Sequence, residues 1–109
     1  MTTTTTIVST PIDQALTEML RTQMPLAETL EVDTIEATSD RVITSARWKP
    51  EYCGTGGVLH GGYLMALADG TGATVAFLNL EHGQLTTTVE SKTNFFRPVT
   101  EGVVLATST

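Results

Sequence analysis

Between Gly61 and Leu80 the chain carries a single charged side chain, Asp69, in a run of apolar and small residues. The run is longer than a buried strand and has apolar residues on every side, the pattern of a helix surrounded by protein. Gly70 and Gly72 lie inside it, each costing about 1 kcal/mol against alanine, and such glycines suit places where another backbone passes close. Whatever else the chain forms must cover this helix.

The rest of its 109 residues supply that cover sparingly. Residues 1–9 are threonine-rich, with Thr2 to Thr6 unbroken, and read as a flexible tail before one domain over 10–109. Thr10 as cap, Pro11 at the first helical position and Asp13 in the first turn predict an amphipathic helix from Pro11 to Gln23, ended by Pro25. Alternation from Leu30 to Ala37 and from Val42 to Trp48, around a Ser39-Asp40 turn, predicts a hairpin of two strands. Pro50 stops the second, and 51–57 is loop. After the helix, closed by Glu81-His82-Gly83, Leu85 to Val99 reads as a long strand, and Val103 to Thr109 begins another. The order is that of an α+β domain, a central helix against an antiparallel sheet. So few strands cannot enclose the helix, and a second subunit is the simplest source of the missing cover.

Charge and cysteine content narrow the function. A formal charge of -6 and pI near 4.6 work against wide contact with nucleic acid or an anionic membrane. An anionic ligand would draw on only six Lys and Arg. Cys53 is the only cysteine, so no internal disulfide or cysteine metal cluster can form, which fits a reducing cytoplasm. The first residues lack the basic and apolar regions of a signal peptide, and no charge-free apolar run of membrane-spanning length occurs. A cytoplasmic location is the expectation.

Three positions invite chemistry. The amides after His60 open a helix, where N–H donors are unpaired, and Gly61 and Gly62 let a ligand oxygen approach. They suit a polarised carbonyl oxygen; equally, the glycines permit a tight turn into the helix. Asp69, flanked by Leu67, Ala68 and Gly70, is either a general base or nucleophile, or an acid on a wet helix face or bonded to a neighbouring backbone. His60 is either a site residue or a cap. Nine residues along a helix put His60 and Asp69 on opposite sides with a rise of about 13 Å, so a site using both draws them from two copies of the chain. Cys53 with His82 makes a poor nucleophile pair, and no metal-ligand, phosphate-loop or dinucleotide spacing is present.

The stretch from Gly57 through His60-Gly61-Gly62 to Asp69, followed by Thr88-Val-Glu-Ser-Lys-Thr-Asn-Phe-Phe-Arg-Pro98, resembles the hotdog-fold acyl-CoA thioesterases of the phenylacetate-degradation (PaaI-like) type. The resemblance spans about Trp48 to Val103. It implies a long helix wrapped by an antiparallel sheet, dimers joined edge to edge, and a homodimer or homotetramer acting on acyl-CoA without a cofactor or metal. It further implies that Gly61 donates its N–H to the thioester carbonyl, His60 orients loop and substrate, and Asp69 of the partner copy is general base or nucleophile. Thr88 falls where the family positions water with a hydroxyl, and Lys92 and Arg97 are the cations nearest for coenzyme A phosphates. The sequence departs from the family at Gly54, where Asn or Gln is common, and at Ala73, where some relatives have Ser or Thr. The family sheet also usually continues for two strands past the one that starts near Val103, so a C-terminally truncated hotdog domain is expected.

Two functions follow as expectations. The first is a thioesterase for small aromatic or short to medium acyl-CoA thioesters. The second is a catalytically silent domain that binds acyl-CoA or a protein, or a truncated product without function.

Overall fold

The structure, a computed structural model, describes residues 2–6 and 11–109. Its elements in chain order are strand β1 (Thr2–Thr6), helices α1 (Gln14–Gln23) and α2 (Pro25–Thr29), strands β2 (Asp33–Ala37) and β3 (Val42–Arg47), helix α3 (Gly61–Leu78) and strand β4 (Val103–Ser108). The sheet is antiparallel, ordered β1-β4-β3-β2. The hairpin expected across Ser39-Asp40 is formed, with a register irregularity between Thr34 and Glu36. This is an α+β architecture of a central helix on an antiparallel sheet.

α3 packs on the sheet because its buried positions recur at helical spacing: Tyr63, Leu67, Thr71 and Thr74 form one stripe. Tyr63 and Leu67 meet the alternating inward residues of β4, Val104 and Ala106, together with Ala46 of β3 and Leu59 and Val99. Two hydroxyls extend this apolar seam. Thr71 Oγ1 donates to the Leu67 carbonyl at 2.7 Å, which uses its one proton, so at the 2.7 Å contact between Thr44 and Thr71 the Thr44 hydroxyl donates. A strand and a helix are thus joined inside the core by a polar pair with no unmet donor.

Several elements differ from the sequence reading. Thr2–Thr6, expected to be flexible, pairs with β4 in register from Thr2 against Thr107 to Thr6 against Val103. A ladder is made by the main chain and asks for no apolar side chain, and a β-branched run favours the extended backbone. Residues 7–9 of that expected tail, and the Thr10 cap, lie outside the described residues. The first helix is capped instead by Asp13, whose Oδ1 accepts the Leu16 N–H at 3.0 Å. Pro25 does not simply end a helix but opens α2 at its first position, where its missing N–H costs nothing.

The segment from Leu85 to Val99, expected to be a strand, carries no ladder. It runs along α3, where Thr88 meets Asp69 and Phe95 meets Gly61, and a helix offers no free row of main-chain donors and acceptors to pair with. Leu85 and Val89 are each 95% exposed. Nor do Gly70 and Gly72 accommodate a close backbone: nothing lies within 4 Å of a Cβ built at Gly70, and the nearest atom at Gly72 is the Ser108 hydroxyl at 3.9 Å.

Candidate active site

The approach to α3 is a loop pinned at both sides. Gly56 and Gly57 have φ of 79° and 74°, the left-handed region that glycine enters without steric cost. Trp48 Nε1 donates to the Gly57 carbonyl at 3.0 Å, and Gly54 N–H donates to Val58 at 2.9 Å. Leu59 N–H then donates to Val99, and His60 N–H to Tyr52, both at 2.9 Å. Tyr52 is itself fixed: its ring stacks on Tyr63 with centroids 4.6 Å apart, and its hydroxyl donates to Glu31 Oε2 at 2.8 Å and lies 3.2 Å from the Thr29 carbonyl. Glu31 also pairs with Lys49.

These groups shift one another. The Lys49 ammonium, then the Tyr52 hydroxyl, hold the Glu31 carboxyl below its ordinary range. Desolvation first, and the hydrogen bond to Glu31 second, push the Tyr52 phenol up to about 12. Desolvation also raises the Tyr63 phenol, whose hydroxyl donates to the Leu30 carbonyl at 2.7 Å. With its hydroxyl engaged at Glu31, Tyr52 supports the loop from behind.

At the end of this loop His60 is the N-cap of α3. Its Nδ1 accepts the Gly62 N–H at 2.9 Å, so in that state the proton of the neutral ring sits on Nε2. The ring fits between two glycines. A Cβ at Gly62 would stand 3.0 Å from Nδ1, and one at Gly54 would stand 3.5 Å from Cδ2. Gly61, the first helical residue, has no carbonyl in reach of its N–H along the helix, and no backbone acceptor elsewhere among the described residues.

Asp69 lies two and a half turns further on and is exposed. It is held by one partner. Thr88 Oγ1 donates to Asp69 Oδ1 at 2.7 Å, which leaves the second oxygen open. The pair sits in an open cleft of about 650 Å³ floored by Ala68, Gly72, Ala73 and Ala76 of α3 and walled by 86–91.

The structure therefore joins Asp69 to Thr88 and His60 to Gly61, and keeps the two groups apart along α3. Lys92 and Arg97 are exposed and make no ion pair among the described residues. One neighbour escaped the sequence reading: the Phe95 ring lies against Gly61. Only its place in the Asn94-Phe95-Phe96-Arg97-Pro98 run hinted at a role. Among the described residues no three His, Cys, Asp or Glu gather to hold a metal, and no helix is long and apolar enough to cross a membrane.

The family model for the Thioesterase superfamily matches residues 56–109, which hold the helix, the cleft and the loop's last turn. Just under half of the chain is thus similar to the Thioesterase superfamily, and the fold is the hotdog fold. A Saccharolobus solfataricus protein provisionally named an esterase is 32% identical over 89 residues, 82% of this chain and 63% of that protein's length. The chain thus spans less than two thirds of that relative. Among solved structures, a thioesterase from Haemophilus influenzae superposes with a TM-score of 0.76 at 24% identity, over 94% of this chain and 71% of its own. A phenylacetic-acid-degradation-related protein from Ralstonia eutropha, provisionally named a thioesterase, superposes at 0.71 and 22% identity, over 83% and 72%. At these identities the two structures establish the hotdog fold.

Proposed function

We propose that the protein hydrolyses acyl-CoA thioesters of small aromatic or short to medium acyl groups, at a site assembled from two copies of the chain. The observation that carries this reading is Asp69: an exposed carboxylate anchored, among the described residues, by a single hydroxyl in a cleft, on the helix whose first N–H, at Gly61, finds no acceptor among them. In a thioesterase-family domain these are the two groups that acyl transfer requires, a base or nucleophile and an oxyanion donor. Roughly 12 Å of helix separates them, too far for one reacting carbonyl, so Asp69 of one copy works beside Gly61 of another.

In the reaction, the Gly61 N–H and the positive end of α3 stabilise the carbonyl oxygen as it gains charge. With Asp69 as general base, its free oxygen takes a proton from water while the water oxygen bonds to the thioester carbon. The intermediate collapses, the C–S bond breaks, and the thiolate takes up the proton. With Asp69 as nucleophile, its oxygen bonds to the carbon and expels the thiolate, and water then hydrolyses the anhydride. Thr88 holds the carboxylate in either case. His60 fixes the turn that aims the Gly61 amide, and Lys92 and Arg97 supply the charge that the coenzyme A phosphates require. The lone cysteine and the acidic surface fit a cytoplasmic site of action.

Thiol release measured on a panel of acyl-CoA esters tests the reading. Turnover on at least one ester, lost by about 10³-fold or more in Asp69→Ala, is expected; inactivity on every ester, or a variant at full rate, would overturn it. Gly54 favours a second reading, a silent acyl-CoA-binding domain, since the residue beside the His60 ring brings no side chain to the substrate. Saturable binding of acyl-CoA without turnover would support that alternative.

A further inference from the structure

The segment after α3 touches both halves of the candidate site. Thr88 meets Asp69, and seven residues on Phe95 meets Gly61. The three atoms nearest a Cβ built on Gly61 all belong to the Phe95 ring: Cζ at 3.4 Å, Cε1 at 3.5 Å and Cε2 at 4.0 Å. The ring therefore occupies the side of Gly61 where any other residue would carry its side chain. It is also 52% exposed, so Gly61 does not bury it.

A thioester whose oxygen accepts from Gly61 must lay one of its two carbonyl substituents alongside this ring. One is the thiol arm, common to all acyl-CoA esters and rich in amides. The other is the acyl group, which varies. A flat apolar ring gains most from a flat apolar partner, by dispersion and by offset or edge contact. We propose that Phe95 is a specificity-determining residue, its exposed ring forming the wall against which an aromatic acyl group packs beside Gly61. This rests on the thioesterase reading above and assigns part of its substrate preference to one side chain.

Steady-state kinetics of the parent, Phe95→Leu and Phe95→Ala on phenylacetyl-CoA, hexanoyl-CoA and acetyl-CoA provide the test, with thermal melts to verify folding. Loss of an aromatic contact raises KM for phenylacetyl-CoA about tenfold in Phe95→Ala, with hexanoyl-CoA less affected and acetyl-CoA within about twofold. Phe95→Leu falls between, and kcat changes little. Equal rises in KM for all three esters would place the ring against the thiol arm, and unchanged values would remove it from the site; either overturns the proposal. If the parent turns over none of them, the thioesterase reading fails by itself. Calorimetric titration with the thioethers phenylethyl-CoA and ethyl-CoA then decides the role of Phe95: a loss confined to phenylethyl-CoA in Phe95→Ala upholds it, while equal losses, or no binding by the parent, overturn it.

Discussion

Thr88 Oγ1 lies 2.7 Å from Asp69 Oδ1, and this hydroxyl is the carboxylate's one hydrogen-bond partner among the described residues. Nineteen positions separate the two in sequence, and they meet because the segment after α3 folds back along the helix instead of joining the sheet.

Removing that hydroxyl frees the carboxylate to rotate. Thr88→Ala lowers kcat about tenfold or more, in line with a hydrogen bond to a charged group, whereas Thr88→Ser stays within about threefold. Thiol-release assays on the three proteins provide the comparison. Equal rates in Thr88→Ala and the parent would show that the contact does not order the reacting carboxylate.

His60 combines a cap with a proposed place in the site, and substitution separates the two. His60→Ala loses the acceptor for the Gly62 N–H and costs about 1 kcal/mol of stability. His60→Asn restores a capping oxygen and recovers most of it. Urea unfolding of both variants reads the cap, and their activities read the ring: a well-folded but slow His60→Asn assigns the imidazole a role beyond capping.

The Thr44–Thr71 pair predicts an asymmetry. Thr71→Val leaves the buried Thr44 hydroxyl without its acceptor and costs about 1–3 kcal/mol. Thr44→Val leaves Thr71 still bonded to the Leu67 carbonyl and costs less. The double variant is less destabilised than the two singles added together, a coupling expected of side chains in direct contact. Denaturant midpoints for the three variants would expose strict additivity, the result that contradicts this arrangement.

Stability also depends on pH through Tyr52. Its phenol ionises near 10 in the unfolded chain and at about 12 in the fold. Below pH 10 both states are neutral and the full contribution is present. As pH rises from 10 towards 12 the unfolded state ionises first, and the contribution is lost. Tyr63, raised by burial, adds a loss of the same sign. Tyr52→Phe keeps the ring stack, is slightly less stable near neutrality without its hydrogen bond to Glu31, and flattens the alkaline limb of a melting-temperature profile. A limb as steep as the parent's would assign the effect to other groups.

Much of the fold was legible in order. α3 declared itself through an apolar run too long for a strand, the hairpin through alternation around Ser39-Asp40, and β4 through Val103 and its neighbours. Propensity misled in two places. The threonines of β1 lack the apolar pattern that marks a strand, yet a main-chain ladder does not need it. Leu85 to Val99 has that pattern but no ladder, because an extended segment becomes a strand only beside another one.

The sequence by itself determined which residues could carry chemistry, since the physics is local: glycines after a helix-capping residue, one acid in an apolar run, and the reach of a helix between them. Tertiary structure alone decided their partners. That Thr88 holds Asp69, that Phe95 lies against Gly61, and that Tyr52 is anchored to Glu31 and stacked on Tyr63 all depend on how distant segments pack around α3. Such crossings are fixed by packing of the whole domain, and no spacing rule along the chain encodes them.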